Sequence, residues 1–322
     1  MIKKKHKLLI GQVASAWATY PRRAAALRSM DSGTPILVTG MPRSGTTWVG
    51  HMLTTPGLWH VHEPFNPNNG CWNKQFTYLR PDEQSGSVDA LMEKILSVQL
   101  RHLTVNWPAS HWLMPLRLFK PPVQRILIKA PIASFLSEYI TQRYGVQTIV
   151  LFRHPAAVVS SLLRLGWPYA FLLDQFLSCE ELVEDWLGPY RGMIQKVAKA
   201  ENAASAAVFY GCINVVLWGF AERNREMTVR QYEDLCANPV EKFKDLFQVL
   251  HLPYDETIKQ KHIKLCYSPK EGKRDYGPHE VKRNTEDMVT RWRRHLSPQQ
   301  LTQIRRIWDR FSVPLYKSEK EW

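Results

Sequence analysis

Cysteine is scarce in this chain and follows no recognisable pattern. The five cysteines in 322 residues are scattered, their number is odd, and no two have the CxxC spacing of zinc and redox sites. Such a set is typical of reduced thiols in a cytoplasmic protein, so we expect neither a disulfide framework nor a metal site. The sequence also has no uncharged apolar run that we judge long enough to span a bilayer. Its hydrophobic content of 44% excludes a disordered chain.

Acidic residues are fewer than basic ones. Against 43 Lys and Arg there are 29 Asp and Glu, which gives a net charge of +14. This surplus suits an anionic ligand, a nucleic acid or an acidic membrane surface, and it does not choose among them. Because no nucleic-acid-binding module is recognisable, we expect no nucleic-acid partner. At this length one domain can bury a large core, with room for a small helical subdomain.

The N-terminal segment 1–33 is a basic arm that we predict to be helical. A lysine-rich start at 3–7 precedes a weak apolar stretch. Apolar side chains at helical spacing share one face, namely Leu9, Val13, Ala16, Trp17 and Tyr20. Three interpretations stay open: a signal peptide, an amphipathic helix on an anionic membrane, and a helix that packs on the domain or forms a solvated arm. Peripheral contact with a membrane surface is thus one alternative for a cytoplasmic protein.

The stretch 36–46 carries the strongest signal of a binding site in the sequence, and it lacks a lysine. The apolar run 36–39 is followed by a loop with Gly40 and Gly45 and then by a helix start at Thr46. A strand, a glycine-bearing loop and a helix N-terminus form a phosphate cradle of backbone N–H groups, reinforced by the helix dipole. The spacing is that of a P-loop, but the Gly-Lys-Ser/Thr of ATP- and GTP-binding proteins is missing, and the cation is Arg43 instead. This departure argues against an ordinary nucleoside triphosphatase.

Apolar runs and helical periodicity alternate along the rest of the chain. We predict strands at 36–39, 58–62, 125–128, 147–152 and 227–230. We predict helices from 46 and from 155, and over 88–103, 134–143, 172–186, 203–224, 240–250 and 299–311. This alternation indicates an α/β fold with three layers, P-loop NTPase-like, in which helices cover both faces of a central parallel sheet. Ligands then bind beyond the carboxyl ends of the strands.

A second candidate phosphate site follows the fourth predicted strand. Arg153 lies in the turn after that strand, and Ser161 lies eight residues later, two turns into the next helix. The arginine can pair with a phosphate in bidentate fashion while the serine donates a hydroxyl hydrogen bond. The alternative is an ordinary salt bridge and a helix serine.

Together the two motifs resemble those of sulfotransferases that use 3′-phosphoadenosine 5′-phosphosulfate (PAPS), and their style is closest to the carbohydrate-type members. The resemblance covers about 35–311. It implies that the glycine-bearing loop holds the 5′-phosphosulfate and that the second site holds the 3′-phosphate. A segment at 229–235 resembles a strand-end motif of the family, with a helix cap as the alternative, and a basic C-terminal segment resembles its lid. The implied cofactor-binding residues are Pro42, Arg43, Ser44, Gly45, Thr46, Thr47, Trp48, Arg153, Ser161, Tyr232 and Arg283.

The resemblance also implies catalytic residues. Arg43 would stabilise charge on the leaving phosphate, and Lys129, which ends the third strand, is a second cation. Glu63, in a His-Glu-Pro turn after the second strand, matches the glutamate that is the base in carbohydrate sulfotransferases. His60 and His62 are reserve candidates for this base. For Glu63 the alternatives are an ion pair with Arg43 or a helix cap, and for Lys129 a solvated surface position.

The implied reaction is transfer of the sulfuryl group of PAPS to a hydroxyl or amino group of an acceptor, a saccharide or glycolipid, without a metal ion. We expect one sulfotransferase domain over 34–316, with acceptor-side loops and helices at 66–122 and 165–225 and a tail at 317–322. The alternatives are a nucleotide-binding protein of the same fold without turnover and a P-loop kinase. The missing lysine speaks against the kinase.

Overall fold

The computed structural model describes residues 33–100, 103–105, 125–267 and 285–322. The predicted helical arm lies outside this part of the chain apart from its last residue, and so does Arg283. All five predicted strands are present: β1 (Ile36–Thr39), β2 (Leu58–His62), β3 (Arg125–Lys129), β4 (Gln147–Phe152) and β5 (Met227–Gln231). The third and fifth each extend one residue beyond the prediction.

The strands form one parallel sheet in the order β2-β3-β1-β4-β5. In register, Val38 of β1 pairs with Lys129 of β3 on one side and with Ile149 of β4 on the other. The loop after β1 therefore leaves the sheet at the centre of its carboxyl edge, where parallel α/β sheets bind ligands.

Helices follow most strands, as expected for a parallel sheet with crossover connections. The longer helices described are α1 (Thr46–Leu53), α2 (Gly86–Leu96), α3 (Ser137–Tyr144), α4 (Pro155–Leu165), α5 (Tyr169–Leu177), α6 (Arg191–Val197), α7 (Ala203–Arg223), α8 (Tyr232–Ala237), α9 (Pro239–Val249), α10 (Glu256–Cys266), α11 (Thr285–Thr290) and α12 (Pro298–Trp308). Short helical turns lie at Pro67–Asn69, Pro131–Leu136, Glu180–Leu182, Val183–Leu187, Gly188–Tyr190, Arg291–Arg294 and Glu319–Glu321.

Successive side chains of a strand point to opposite faces of the sheet. Ile36 and Val38 share a buried cluster with Trp48 of α1 and with residues of α8, α9 and α10. Leu37 belongs to a cluster on the opposite face, formed with α2 and α3. A third cluster lies over β4 and includes α4, α5, α7 and α12. Helices thus cover both faces, and the predicted three-layer α/β fold is confirmed.

Helix α7 corrects one expectation. It is 21 residues long and apolar enough to cross a membrane by length and composition, whereas the sequence suggested no such run. The apolar window of this helix is 89% buried inside the protein, and α4, α5 and α12 pack around it. Its apolar character is therefore satisfied by packing within the domain.

Two predicted helices are shorter in the structure than expected. The helix predicted over 88–103 stops at Leu96, and Val98 adopts a left-handed φ of 59°. The helix predicted over 172–186 breaks into short turns after Leu177. In those turns, Asp185 accepts a hydrogen bond of 2.6 Å from the hydroxyl of Tyr78. Such a partner is distant in sequence, so local periodicity carries no sign of it.

Candidate active site

One residue from the carboxyl end of each strand contributes to a single site. Arg43 follows β1, Glu63 follows β2, Lys129 ends β3, Arg153 follows β4 and Tyr232 follows β5. The first four line a cleft of about 320 Å³. The ring of Tyr232 lies against the guanidinium of Arg153, 4.3 Å from the ring centroid to Cζ. The sheet thus brings together residues that are far apart in the sequence.

The loop after β1 requires glycine at two positions. Gly40 has φ of 142°, and a Cβ there would lie 2.4 Å from the carbonyl oxygen of Leu151. Gly45 has φ of 101°, and its Cβ would lie 2.5 Å from the ring of Tyr232. Arg43 adopts φ of 78° without being glycine. A non-glycine residue in the left-handed region is strained, and such strain clusters at functional loops.

The helix after this loop presents open backbone donors. No described side chain caps α1 at Gly45, and no acidic residue lies in its first turn. Thr46 and Thr47, at this helix start, both line the cleft. Nearby, Ser44 Oγ and Arg153 Nε are buried without a hydrogen-bond partner among the described residues. Buried donors of this kind beside a helix N-terminus fit a bound phosphate or sulfate group.

Two further residues of the predicted phosphate motif, Pro42 and Trp48, line the cleft, and one of them also packs in the core. Trp48 is also fully buried and makes an edge contact with the ring of Tyr232, with centroids 5.5 Å apart. The side chain of Trp48 therefore anchors α1 in the core, and its contribution to the cleft is at one edge.

Arg43 joins the two predicted phosphate motifs. Its Nε donates to Ser161 Oγ over 3.0 Å. Arg153 in turn donates to the carbonyl oxygens of Arg43 and Met288, over 3.1 and 3.0 Å. Arg153 makes no ion pair with a carboxylate in the described part of the chain, in contrast to the alternative interpretation. The two guanidinium groups converge at one end of the cleft and give it a positive potential.

Glu63 forms an ion pair with Lys129. Lys129 Nζ donates to Glu63 Oε1, and Asn66 Nδ2 donates to Oε2 over 2.5 Å. Burial acts to raise the pKa of Glu63, but the charge and hydrogen bond of Lys129, together with Asn66, outweigh it and lower the pKa. The carboxylate is therefore ionised at neutral pH. It faces Lys129, and not Arg43 as one alternative proposed.

Lys129 is a buried residue of the site. Its side chain is 2% exposed, so the alternative of a solvated surface lysine is wrong. Burial lowers its pKa, and the Glu63 carboxylate partly offsets this effect. A buried ammonium paired with one carboxylate is a concentrated positive charge at the cleft wall.

The two reserve histidines occupy different places. His60 is fully buried and does not line the cleft, and burial is the main reason that its pKa lies well below the usual value. Its Nδ1 shares a 2.8 Å hydrogen bond with Thr54 Oγ1. His62 lies nearer to the cleft, since its Nε2 is 3.9 Å from Glu63 Oε1. Of the two, His62 adjoins the carboxylate.

The sequence matches the profile of the Sulfotransferase family over residues 35–256, which is more than half of the chain. The chain belongs to the Sulfotransferase family. Comparison with curated protein sequences gives no match.

Several solved sulfotransferase structures are similar to this chain at low identity. The sulfotransferase domain from the curacin biosynthetic pathway has 17% identity and a TM-score of 0.46, with coverage of 88% of this chain and 99% of that one. The sulfotransferase domain from the Synechococcus PCC 7002 olefin synthase has 18% identity and a TM-score of 0.44, with coverage of 88% and 98%. A mouse sulfotransferase complexed with PAP has 12% identity and a TM-score of 0.42, with coverage of 85% and 82%. The family assignment rests on the sequence match.

Sequence reasoning missed two contacts at this sulfotransferase cleft. Asn66 contacts the Glu63 carboxylate, and the only sequence signal for it is the turn that a Glu-Pro-Phe-Asn stretch favours. The Met288 carbonyl oxygen that accepts from Arg153 carries no side-chain signal at all. Leu165 lines the cleft beside Trp167, in the region expected on the acceptor side. No described group of three or more His, Cys, Asp or Glu side chains could hold a metal ion.

The C-terminal part of the chain braces the turn after β4. His154 stacks on Trp292 with ring centroids 4.6 Å apart. Residues 317–322, predicted as a tail, pack here as well, since the ring of Trp322 lies 4.5 Å from that of His154. Burial lowers the pKa of His154 to about 3. This imidazole is therefore a neutral packing group over the physiological pH range.

The segment after β5 also contacts the turn after β4. Glu233 accepts from the backbone N–H of His154 over 3.0 Å and from the hydroxyl of Tyr316 over 2.6 Å. Burial raises the pKa of Glu233, although its hydrogen-bond partners and Arg153 act in the opposite direction. The segment that resembles a family motif thus supports the second phosphate site through Tyr232 and Glu233.

Proposed function

We propose that this protein transfers the sulfuryl group of PAPS to a hydroxyl or amino group of an acceptor. The observation that carries the proposal is the convergence of the glycine-bearing loop, Arg153 and the Glu63–Lys129 pair in one cleft. Two phosphate-binding elements support a nucleotide with phosphate at two places. A carboxylate and a buried ammonium beside them support group transfer rather than simple nucleotide storage.

The chain's own groups would bind the cofactor in two parts. The backbone N–H groups at the start of α1, with Thr46, Thr47 and Arg43, would hold the 5′-phosphosulfate. Arg153 and Ser161 would hold the 3′-phosphate. When bound, PAPS supplies an activated sulfuryl group on a phosphate leaving group.

Arg43 and Lys129 would stabilise the negative charge that develops on the leaving oxygen. A fixed cation in a water-poor cleft contributes about 10²–10³ in rate, because it needs no reorganisation during the reaction. Lys129 suits this role, since it is buried and its ammonium is held by Glu63.

Glu63 would accept the proton that the acceptor loses. Its lowered pKa keeps it ionised, and its carboxylate lines the same cleft as the phosphate loop. A base must lie within hydrogen-bond reach of the proton that it removes, and a position at the cleft wall provides that geometry.

We propose a saccharide or glycolipid as the acceptor. Trp167 offers an aromatic face and Asn68 offers an amide group, both along the same cleft. Aromatic rings combined with a few polar groups suit a polar ring with hydroxyl substituents. We further propose that 34–316 acts as one sulfotransferase domain, with 317–322 packed onto it.

Calorimetry with adenosine 3′,5′-bisphosphate (PAP) tests the proposal. We expect micromolar binding to the wild type, loss of binding in Arg153→Ala, and partial retention in Arg153→Lys, which keeps the charge. Arg191→Ala, at an exposed arginine of α6, is the matched control and should bind as the wild type does. A preference for ATP over PAP would contradict the proposal and favour a kinase.

Sulfate transfer from labelled PAPS to a panel of acceptors separates catalysis from binding. Transfer to a sugar hydroxyl supports the proposed acceptor. PAP binding without transfer to any acceptor would indicate a nucleotide-binding protein without turnover.

A further inference from the structure

We propose that Asn66 is a positioning residue for Glu63: its amide holds one carboxylate oxygen while Lys129 holds the other. This inference rests on the proposed function, in which Glu63 takes up the proton of the acceptor. Asn66 acts through Glu63 and not on the reacting atoms.

The turn of Asn66 sets the orientation of its amide. Asn66 Oδ1 accepts from the backbone N–H of Asn68 over 3.1 Å and caps the helical turn Pro67–Asn69. Nδ2 is thereby directed to Glu63 Oε2, at 2.5 Å. Exchange of the amide oxygen and nitrogen would place an acceptor against the carboxylate and a donor against an N–H group. One orientation therefore satisfies both contacts.

The backbone joins Glu63 and Asn66 in a single unit. The N–H of Asn66 donates to the carbonyl oxygen of Glu63 over 3.0 Å, and Asn69 Nδ2 donates to the same oxygen over 2.9 Å. Glu63 has a left-handed φ of 51°, and its own N–H donates to the carbonyl oxygen of Lys129 over 2.7 Å. These bonds direct the carboxylate away from the line of β2 and into the cleft.

In the part of the chain that the structure describes, few charged or titratable groups surround the carboxylate of Glu63. Lys129 faces it from β3, and His62 faces it from the end of β2 at 3.9 Å. Beyond this pair, the charge of Arg43 contributes to the lowered pKa of Lys129, and Lys129 in turn contributes to the lowered pKa of His60. A neutral amide that donates to a carboxylate favours its ionised form. Removal of that amide should raise the pKa of the carboxyl group and leave the carboxylate free to rotate.

Two substitutions separate the turn from the carboxylate contact. In Asn66→Ser the hydroxyl can still accept from the Asn68 N–H, but it offers no amide to Glu63. Asn66→Asp keeps the same acceptor and replaces the donor with a like charge. Asn69→Ala is the matched control, because the side chain of Asn69 donates to the main-chain oxygens of His62 and Glu63 and not to the carboxylate.

The first measurement is the pH dependence of kcat/KM for sulfate transfer. We expect the acid limb of the Asn66→Ser pH profile to move to higher pH by about one unit, because the carboxylate loses one charge-assisted hydrogen bond. Asn66→Asp should move the limb further in the same direction. KM for PAPS should stay near the wild-type value in both. In Asn69→Ala the limb should stay in place even if the rate falls.

The second measurement needs no turnover. In protein with ¹³C-labelled glutamate carboxyl groups, the Glu63 resonance is identified by its absence in Glu63→Gln, and its titration is followed by NMR. An upward shift in Asn66→Ser, absent in Asn69→Ala, supports the proposal. An unchanged Glu63 titration in both Asn66 variants overturns it. Failure of the wild type to transfer sulfate from PAPS would instead count against the proposed function.

Discussion

Arg43 and Ser161 lie 118 positions apart in the sequence and meet through a hydrogen bond of 3.0 Å from Nε to Oγ. Each belongs to a different predicted phosphate motif, one after β1 and one on α4. The bond couples the two motifs directly. A ligand group that shifts the guanidinium of Arg43 therefore also changes the hydrogen bonding of Ser161. The hydroxyl accepts in this bond and keeps its own hydrogen for a ligand oxygen.

Ser161→Ala should weaken PAP binding about tenfold, which is the loss of one hydrogen bond to a charged group. Calorimetry at constant salt measures the effect. Ser160→Ala is the matched control, because Ser160 is a buried serine of the same helix, whereas the guanidinium of Arg43 donates to Ser161. Equal binding by the two variants would show that Ser161 takes no part in the phosphate site.

Glu63→Gln should lower sulfate turnover by about 10²–10⁴, the range for loss of a general base. PAP binding should persist, since Gln keeps an oxygen for Lys129. Single-turnover assays and calorimetry on the same samples measure the two quantities. Glu93→Gln, at an exposed glutamate of α2, serves as the control. Wild-type turnover in Glu63→Gln would remove Glu63 as the base and direct attention to His62.

Gly50→Ala should destabilise the fold although alanine favours helices. A Cβ at Gly50 would lie 2.9 Å from Cε1 of His60 and 3.6 Å from Cγ of Lys129. Overpacking of a closed core costs about 1–3 kcal/mol, which exceeds the helix-propensity gain of about 1 kcal/mol. Urea denaturation measures the difference.

Gly192→Ala provides the contrast, because nothing lies within 4 Å of a Cβ there. It should be neutral or slightly stabilising. The cost of Gly50→Ala should also shrink in a His60→Ala background, since the clash partner is gone. Additive effects of the two substitutions would contradict the assigned clash.

His154→Asn should reduce the sensitivity of the fold to acid. The folded pKa of about 3 lies below the ordinary 6.5, so the unfolded chain binds a proton first as the pH falls. Stability linked to His154 is therefore complete above pH about 6.5 and is lost towards pH 3, with a loss of about 2 kcal/mol by pH 5. Asn keeps the N-cap acceptor that His154 Nδ1 provides to the Ala156 N–H.

Unfolding free energies of the wild type and this variant at pH 7 and pH 5 give the result. Other groups titrate in both proteins, so the difference between the two isolates the imidazole. An identical loss on acidification in both proteins would show that His154 is not a source of acid sensitivity.

The sheet and its ligand-binding edge could be predicted from the sequence because short apolar runs between turn signals specify buried parallel strands. Lys129 shows the limit of such reasoning. Its position at the end of a strand was predictable, but its burial and its ion pair with Glu63 are tertiary features. The contact between Tyr78 and Asp185, in the turns that follow α5, is likewise absent from any local pattern.

The candidate site residues also divide into those that the sequence pattern predicts and those that depend on tertiary contacts. Glu63 and Arg153 were found because each directly follows a strand, and Arg43 because it lies in the glycine-bearing loop after β1; such strand ends meet at one edge of the sheet. The contact between Glu63 and Asn66 was missed because it depends on an Asx turn and a left-handed backbone. The roles of these residues stay predictions until the variants are measured.

The acceptor of one Arg153 hydrogen bond, the Met288 carbonyl oxygen, lies far beyond the last strand of the sheet and outside the region that matches the family profile. During translation, the sheet and the glycine-bearing loop leave the ribosome before Met288 does. A nascent chain therefore has the scaffold of its site while the guanidinium of Arg153 still lacks that restraint. Truncated products that end before Met288 would lack the same restraint, so the second phosphate site depends on chain that is synthesised well after the sheet.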